Sequence, residues 1–121
     1  MLAQKKLLII DDEPKVVQVL KACFESKFFI LTAYDGKQGF EMALREKPDL
    51  ILSDVLMPKM DGFELLEKLK GHVKTKDIPV ILLTSVEDSK SIYKAQESGI
   101  ADYLIKPIGM EELFEHVKKY V

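Results

Sequence analysis

The length and composition of this 121-residue chain fit a single compact domain. The sequence is 47% hydrophobic, which is enough to fill a sizeable core, and its formal net charge is only -2. Because Arg45 is the one arginine and no broad basic field exists, direct nucleic-acid binding by this segment is not expected. No apolar stretch approaches the roughly 20 residues of a membrane span, and the first residues do not resemble a signal peptide. We therefore expect one domain over residues 1–121, located in the cytoplasm.

Short apolar runs alternate with helical patterns, which predicts repeated βα units around a parallel sheet. The first strand is predicted at residues 7–10, and Pro14 suits the first turn of the helix that follows. The apolar residues of this helix are expected to face the sheet: Val16, Val17, Val19, Leu20, Cys23 and Phe24. Cys23, the only cysteine, is therefore expected to be a buried structural thiol.

The second and third units follow the same pattern. A strand at residues 28–33 leads through Asp35 and Gly36 into a helix, and Pro48 ends that helix before a third strand at residues 50–53. Asp61 is expected to cap the third helix, and Gly71 follows its end.

The last two βα units are predicted from shorter runs of apolar residues. A fourth strand at residues 80–83 precedes a helix from Asp88 or Ser89 to about Ser98, which Gly99 ends. A short fifth strand at residues 102–105 follows. The final helix is predicted from apolar residues at helical spacing: Met110, Leu113, Phe114 and Val117.

Residues that suit phosphoryl transfer come directly after the apolar runs of four strands. Asp11 and Asp12 follow the first strand, Asp54 the third, Thr84 the fourth and Lys106 the fifth. The carboxyl ends of parallel strands lie along one edge of a sheet, which is where open α/β folds place their sites. We therefore expect these five side chains to converge.

The adjacent carboxylates of Asp11 and Asp12 repel each other unless a cation, a proton or water separates their charges. Magnesium prefers oxygen ligands and keeps positions open for water and phosphoryl oxygens, which fits Asp12 and Asp54. The alternative for the adjacent pair is a structural one. In that case the two acids complement the dipole of the helix that begins near Pro14.

At the mouth of the sheet, Asp54 can act as a nucleophile, because carboxylates attack phosphorus to form acyl phosphates. Thr84 can donate a hydrogen bond to a phosphoryl oxygen, and Lys106 supplies a mobile positive charge. Each also has an ordinary interpretation, as a turn aspartate or a solvated residue at a strand end. Lys106 precedes Pro107, where a cis peptide bond is possible.

Four segments make the chain closely resemble the receiver domain of two-component response regulators, including the single-domain chemotaxis type. They are residues 9–13 (IIDDE), 54–62 (DVLMPKMDG), 83–85 (LTS) and 99–107 (GIADYLIKP). The resemblance implies an α/β fold, a doubly wound (βα)5 flavodoxin-like sandwich whose five-stranded parallel sheet has the order 2-1-3-4-5.

The resemblance also implies a function in phosphorelay signal transduction. Asp54 would accept a phosphoryl group from a sensor histidine kinase or histidine phosphotransfer protein in a Mg2+-dependent reaction. Asp11, Asp12 and Asp54 would hold the ion, with the backbone carbonyl of Leu56. Such a receiver promotes its own phosphorylation and dephosphorylation and is not otherwise an enzyme.

A conformational switch is implied in the same way. Thr84 and Lys106 would bind the phosphoryl group, and Thr84 would move toward it, which opens space for Tyr103 to rotate from an exposed to a buried position. The change would regulate an unknown output partner or domain through the surface formed by the fourth predicted helix, the fifth strand and the final helix. An ordinary interpretation of Tyr103 is a half-buried strand aromatic with its hydroxyl in water.

The chain departs from the well-described single-domain type at Leu56 and Val86, which are apolar residues in positions that flank the phosphoryl group. We hypothesise that the phosphoryl group is lost slowly, because neither side chain can orient water. The last helix also lacks arginine, which argues against the charged dimer contact of one large DNA-binding subfamily and leaves the oligomeric state open.

Three other functions compete with this interpretation. A phosphatase of the haloacid-dehalogenase class uses similar residues, but its nucleophile follows the first strand in a D-x-D motif, where this chain has Asp11-Asp12-Glu13. A receiver that is never phosphorylated would keep only the interaction surfaces. Dinucleotide binding is the weakest alternative, because the first strand leads into acids and not into a Gly-rich loop.

Overall fold

The computed structural model describes residues 4–85, 93, 96–97 and 99–121. Five strands form one parallel sheet in the order β2-β1-β3-β4-β5. The strands are β1 (Lys6–Ile10), β2 (Phe29–Ala33), β3 (Leu50–Asp54), β4 (Val80–Thr84) and β5 (Asp102–Ile105). The fold class and strand order expected from the sequence are confirmed.

Four helices are described in full: α1 (Pro14–Phe24), α2 (Gly36–Glu46), α3 (Gly62–Lys70) and α4 (Met110–Lys118). The helix predicted from Asp88 or Ser89 to about Ser98 lies largely outside the described residues, although Tyr93 and the pair at 96–97 are helical. In the part of the chain that is described, no helix combines the length and the apolar character that crossing a membrane would take.

The three central strands explain why the sequence shows continuous apolar runs. β3 and β4 are buried at every residue, and β1 at every residue after Lys6. Strands covered by helices on both faces cannot alternate polar and apolar residues. One core contains Leu8, Ile51 and Leu82, and the other contains Leu7, Leu52 and Leu83, so alternate residues of each strand enter opposite layers.

The predicted start and end of α3 are confirmed in atomic detail. The Asp61 side chain accepts a hydrogen bond from the Glu64 N–H at 2.9 Å, and the Glu64 side chain accepts one from the Asp61 N–H, which forms a capping box. Gly71 is the C-cap, and its N–H donates to the Glu67 carbonyl. These contacts fix the helix that follows the β3 end of the sheet.

The prediction that all apolar residues of α1 face the sheet was wrong at two positions. Val17, Leu20 and Phe24 are buried, but Val19 is 58% exposed and Cys23 is exposed. A surface helix buries a stripe with a spacing of three and four residues, and the six apolar residues of α1 cover a wider arc. Cys23 is therefore a surface thiol, contrary to the sequence-based expectation.

Candidate functional site

Three carboxylates meet at the carboxyl edge of the sheet. Asp54 is the last residue of β3, and Asp11 follows β1, whose Ile10 is in register with Ser53 of the neighbouring strand. One oxygen from each of Asp11, Asp12 and Asp54 lies within 4.8 Å of the others. The predicted convergence of these acids is confirmed, and their separation suits a shared cation.

Lys106 places its ammonium group against this cluster. The Lys106 Nζ lies 3.4 Å from the Asp54 Oδ1 and 3.7 Å from the Asp11 Oδ2. Its backbone N–H donates to the Thr84 carbonyl at 2.6 Å, which joins the ends of β4 and β5. The Lys106–Pro107 peptide bond is cis. The structure thus brings Lys106 to the acids and Thr84 to the adjoining strand end.

Burial raises the pKa of two of the acids. Asp11 is 2% exposed, and desolvation, together with repulsion from Asp54, raises its pKa to about 6, although a hydrogen bond from Glu13 opposes the shift. Desolvation also raises the pKa of Asp54, and Lys106 opposes this change. A second positive charge at this edge would favour the ionised form of both carboxyls.

Backbone contacts hold the acids in place. The Glu13 N–H donates to the Asp11 Oδ1 at 2.9 Å. The Gly62 N–H donates to the Val55 carbonyl at 2.8 Å, and a Cβ built on Gly62 would lie 2.6 Å from the Asp54 carbonyl oxygen. Only glycine allows α3 to begin this close to Asp54. Sequence reasoning missed this role, although a glycine directly after a capping aspartate was the available signal.

Of the remaining predicted residues, Thr84 and Leu56 lie near the same edge, and Tyr103 lies within β5, in register with Leu82. Thr84 is buried at the end of β4, and Leu56 is 55% exposed two residues after Asp54. Tyr103 is half-buried, and its ring stacks on Phe63 with centroids 6.3 Å apart. Its predicted rotation stays a prediction. Val86 lies outside the described residues.

The donor set fits magnesium better than zinc. Asp11, Asp12 and Asp54 offer only carboxylate oxygens, which hard cations prefer, and neither histidine nor the cysteine belongs to the cluster among the described residues. Asp11 and Asp54 are buried and Asp12 is half-buried, so an ion here would keep access to solvent on one side. The contribution of the Leu56 carbonyl stays a prediction.

Comparison with known proteins gives consistent matches over nearly the whole chain. A family model described as the response regulator receiver domain matches residues 7–118. Response regulator PleD of Caulobacter vibrioides is 40% identical over 114 residues, which cover 93% of this chain and 25% of PleD. The chain thus spans about a quarter of the length of this curated relative.

Solved structures agree with the sequence matches. Chemotaxis protein CheY4 of Vibrio cholerae superposes with a TM-score of 0.92 at 27% identity, over 98% of this chain and 100% of CheY4. The receiver domain of sensor histidine kinase PA1611 from Pseudomonas aeruginosa PAO1 superposes with a TM-score of 0.87 at 26% identity, over 98% of each chain. The PA1611 structure has a magnesium ion coordinated in its active-site cleft.

Proposed function

Since the chain belongs to the response regulator receiver domain family, we propose that it acts in two-component phosphorelay signalling by accepting a phosphoryl group on Asp54. One observation carries this assignment. The Asp54 carboxylate ends the central strand inside an acidic cluster, with the Lys106 Nζ 3.4 Å away. A nucleophile, a site for a divalent cation and a positive charge for the phosphoryl oxygens are then within one small volume.

The proposed step is a phosphoryl transfer between two nucleophiles. A carboxylate oxygen of Asp54 attacks the phosphorus atom and forms a new O–P bond, while the bond from phosphorus to the donor breaks and the donor keeps its electron pair. From a phosphohistidine donor the leaving atom is an imidazole nitrogen. Asp54 must be ionised to attack, and Lys106 stabilises that ionised form.

Asp11, Asp12 and Asp54 are the residues that we propose to hold Mg2+, with the Leu56 carbonyl as a further ligand. When bound, the ion would reduce the repulsion between the carboxylates and the anionic phosphoryl oxygens. Burial raises the pKa of Asp11 to about 6, and repulsion from Asp54 adds to this shift in the free protein. The Glu13 N–H keeps the Asp11 side chain aimed at the cluster.

After transfer, we propose that Lys106 moves its contact from the Asp54 carboxylate to the phosphoryl group and that Thr84 donates a hydrogen bond to it. The position of Thr84 supports this role, because it ends β4, the strand that pairs directly with the one that Asp54 ends. Movement of Thr84 would then let Tyr103 rotate from its half-buried position. The output partner or domain would read this change.

The proposed donor is a sensor histidine kinase or a histidine phosphotransfer protein. We also propose that the protein acts in the cytoplasm. A receiver of this kind promotes its own phosphorylation and dephosphorylation but does not turn over other substrates. The same residues could serve a phosphatase, so the experiment must separate stoichiometric labelling from turnover. It must also separate both from a domain that only binds partners.

The test is incubation with acetyl phosphate and MgCl2, followed by intact-protein mass spectrometry. We expect one added phosphoryl group on the native chain and none on Asp54→Asn. Asp77→Asn, which changes an exposed aspartate, is the matched control and should be labelled normally. Labelling of Asp54→Asn would refute the assignment. Continuous hydrolysis of phosphate esters would favour the phosphatase. If neither acetyl phosphate nor a competent kinase labels the chain, the result would favour a receiver that is never phosphorylated and only binds partners.

A further inference from the structure

The ring of Phe63 packs flat against the ring of Tyr103. The two ring planes are 13° apart and their centroids are 6.3 Å apart, which is within the range of an offset stack. Phe63 is buried, whereas Tyr103 is half-buried. An ordinary interpretation is that the pair only fills the core between α3 and β5. The same pair, however, joins the helix that begins beside Asp54 to the strand that carries the predicted switch residue.

The start of α3 holds Phe63 in a fixed place. The Gly62 N–H donates to the Val55 carbonyl at 2.8 Å, and a Cβ built on Gly62 would lie 2.6 Å from the Asp54 carbonyl oxygen. The capping box at the N-terminus of α3 fixes the same turn of helix. Because this turn is packed against the end of β3, Phe63 cannot follow a rotation of Tyr103 without displacing the backbone next to Asp54.

Tyr103 has more freedom than Phe63, because it lies on β5 at the edge of the sheet. It is in register with Leu82 of β4, and both side chains belong to the layer of the core that contains Phe63. Side chains occupy separate χ1 wells that are about 120° apart. A change of well would therefore carry the Tyr103 ring away from Phe63 and break the stack.

We propose that Phe63 is a positioning residue that holds Tyr103 in its resting orientation and thereby sets how readily the switch responds. This inference rests on the proposed function, in which Tyr103 rotates after phosphoryl transfer to Asp54. The stack stabilises the resting orientation only, because rotation breaks it. A contact that exists in one of two states shifts the equilibrium toward that state.

The strength of an aromatic stack gives the size of the expected effect. Pairs with this geometry favour the stacked arrangement by about two- to tenfold in an equilibrium constant. Phe63→Leu removes the ring, so it should raise the population of the rotated Tyr103 by about two- to tenfold in the unphosphorylated chain. By linkage, a ligand that prefers the rotated state should gain affinity by the same factor while that state is rare.

Side-chain NMR tests the orientation of Tyr103 directly. Three-bond couplings from its backbone nitrogen and carbonyl carbon to Cγ report the χ1 populations and do not depend on the ring current of Phe63. We expect one dominant rotamer in the native chain and a second rotamer about two- to tenfold more populated in Phe63→Leu. Phe63→Met, whose flexible side chain fills irregular gaps, is the second variant if the leucine variant does not fold.

Phe24→Leu is the matched control for the loss of a core ring. Phe24 is also buried and stacked, on Phe114 in the opposite layer of the core, with centroids 5.9 Å apart. It should leave the χ1 populations of Tyr103 unchanged. Unchanged populations in the Phe63 variants, or an equal change in Phe24→Leu, would overturn the proposal.

Binding of beryllofluoride, a tetrahedral mimic of the phosphoryl group, tests the link to Asp54. In MgCl2, Phe63→Leu should bind this anion about two- to tenfold more tightly than the native chain does. A substitution that merely loosened the core would weaken binding or leave it unchanged. In a Tyr103→Leu background, Phe63→Leu should have no effect, because the stack is already lost. Equal or weaker binding by Phe63→Leu, or a gain that persists in the Tyr103→Leu background, would overturn the proposal.

The two measurements separate this proposal from the proposed function. If acetyl phosphate leaves the native chain unlabelled, the proposed function fails, and the χ1 populations still decide whether Phe63 holds Tyr103. If the native chain is labelled but Phe63→Leu changes neither the populations nor the affinity, only the role of Phe63 is refuted.

Discussion

Asp11 is the residue at which the electrostatic conflict in the site is clearest. It is buried beside Asp54, and desolvation is the largest cause that raises its pKa to about 6. The Lys106 Nζ at 3.7 Å relieves this conflict only in part. A folded state that holds a proton more tightly than the unfolded chain becomes less stable as pH rises between the two pKa values.

We therefore predict that Asp11→Asn stabilises the protein at neutral pH when no divalent cation is present. The Asp11 pKa rises from 3.8 to about 6 on folding, so the native chain loses stability as pH increases across that interval. Asparagine does not ionise, and the gain should be about 1–3 kcal/mol at pH 7.5 and close to zero near pH 3. Urea unfolding in EDTA at both pH values measures this difference.

Glu13→Gln is the control for removing a negative charge nearby, because Glu13 is exposed. It should change the free energy of unfolding much less than Asp11→Asn does. If Asp11→Asn is no more stable than the native chain at pH 7.5, burial of the charged Asp11 is not destabilising, and our account of the cluster is wrong.

A second residue-scale prediction concerns the lifetime of the phosphorylated state. Leu56 is 55% exposed beside Asp54, and Val86, outside the described residues, follows Thr84 by two positions. Neither side chain can orient a water for in-line attack on phosphorus. Leu56→Asn combined with Val86→Glu should speed loss of the phosphoryl group by about tenfold, or ~1.4 kcal/mol.

The measurement is the decay of phosphorylated protein in magnesium after the donor has been removed. Val73→Glu also replaces an exposed apolar residue, since Val73 is 76% exposed, and it should leave the half-life unchanged. An unchanged or longer half-life in the Leu56 and Val86 double variant would contradict the hypothesis that these two side chains slow the loss of the phosphoryl group.

At the scale of elements, α1 presents apolar residues next to the proposed phosphorylation site. A groove of about 560 Å³ runs between this helix and the segment after β5, and Val16, Val19, Pro107 and Ile108 line part of it. We expect the helix that carries the phosphorylated histidine of the donor to dock on this apolar surface. Because Val19 is exposed, it can be changed without opening a cavity in the core.

We predict that Val19→Lys slows phosphoryl transfer from the cognate kinase or phosphotransfer protein and leaves labelling by acetyl phosphate intact. A lysine would disrupt an apolar contact with the protein donor, whereas the small donor makes no such contact. Initial rates with both donors measure the effect, and Val73→Lys is the matched control on a different surface. Equal slowing with both donors would instead indicate a damaged site.

The strands and the helices of this chain differed in how far the sequence predicted them. Leu50 to Leu52 and Val80 to Leu82 could be placed because a strand buried on both faces has to be apolar throughout. The apolar arc of α1 did not reveal that Cys23 is exposed. When the apolar arc of a helix is wider than its contact with the sheet, some apolar residues of the arc remain exposed to solvent. Burial within an arc depends on neighbouring elements that the local pattern does not contain.

At the scale of the whole molecule, the site could be predicted because the topology is regular. Asp11 and Asp54 come from strands that pair directly, and Lys106 comes from the far edge strand, so their approach follows once the strands are parallel. The close approach of Gly62 to Asp54 and the stacking of Phe63 on Tyr103 were not predicted. Both depend on how α3 packs against the strands. Sequence periodicity does not describe the distances between separate elements.

The acidic cluster also predicts how the stability of the whole domain depends on magnesium. Unfolding separates Asp11, Asp12 and Asp54, so the ion would bind the folded state almost exclusively and shift the unfolding equilibrium by mass action. At ten times the dissociation constant the gain is about 1.4 kcal/mol, which raises the melting temperature of a domain of this size by about 5–6 °C.

Thermal unfolding in MgCl2 and in KCl of equal ionic strength separates binding from screening of the carboxylates. Asp12→Ala should lose most of the magnesium-dependent increase, because it removes a proposed ligand that is only half-buried and leaves the core unchanged. Asp77→Asn should keep the full increase. If MgCl2 stabilises Asp12→Ala as much as the native chain, Asp12 is not a ligand, and the ion would have to bind elsewhere or through Asp11 and Asp54 alone.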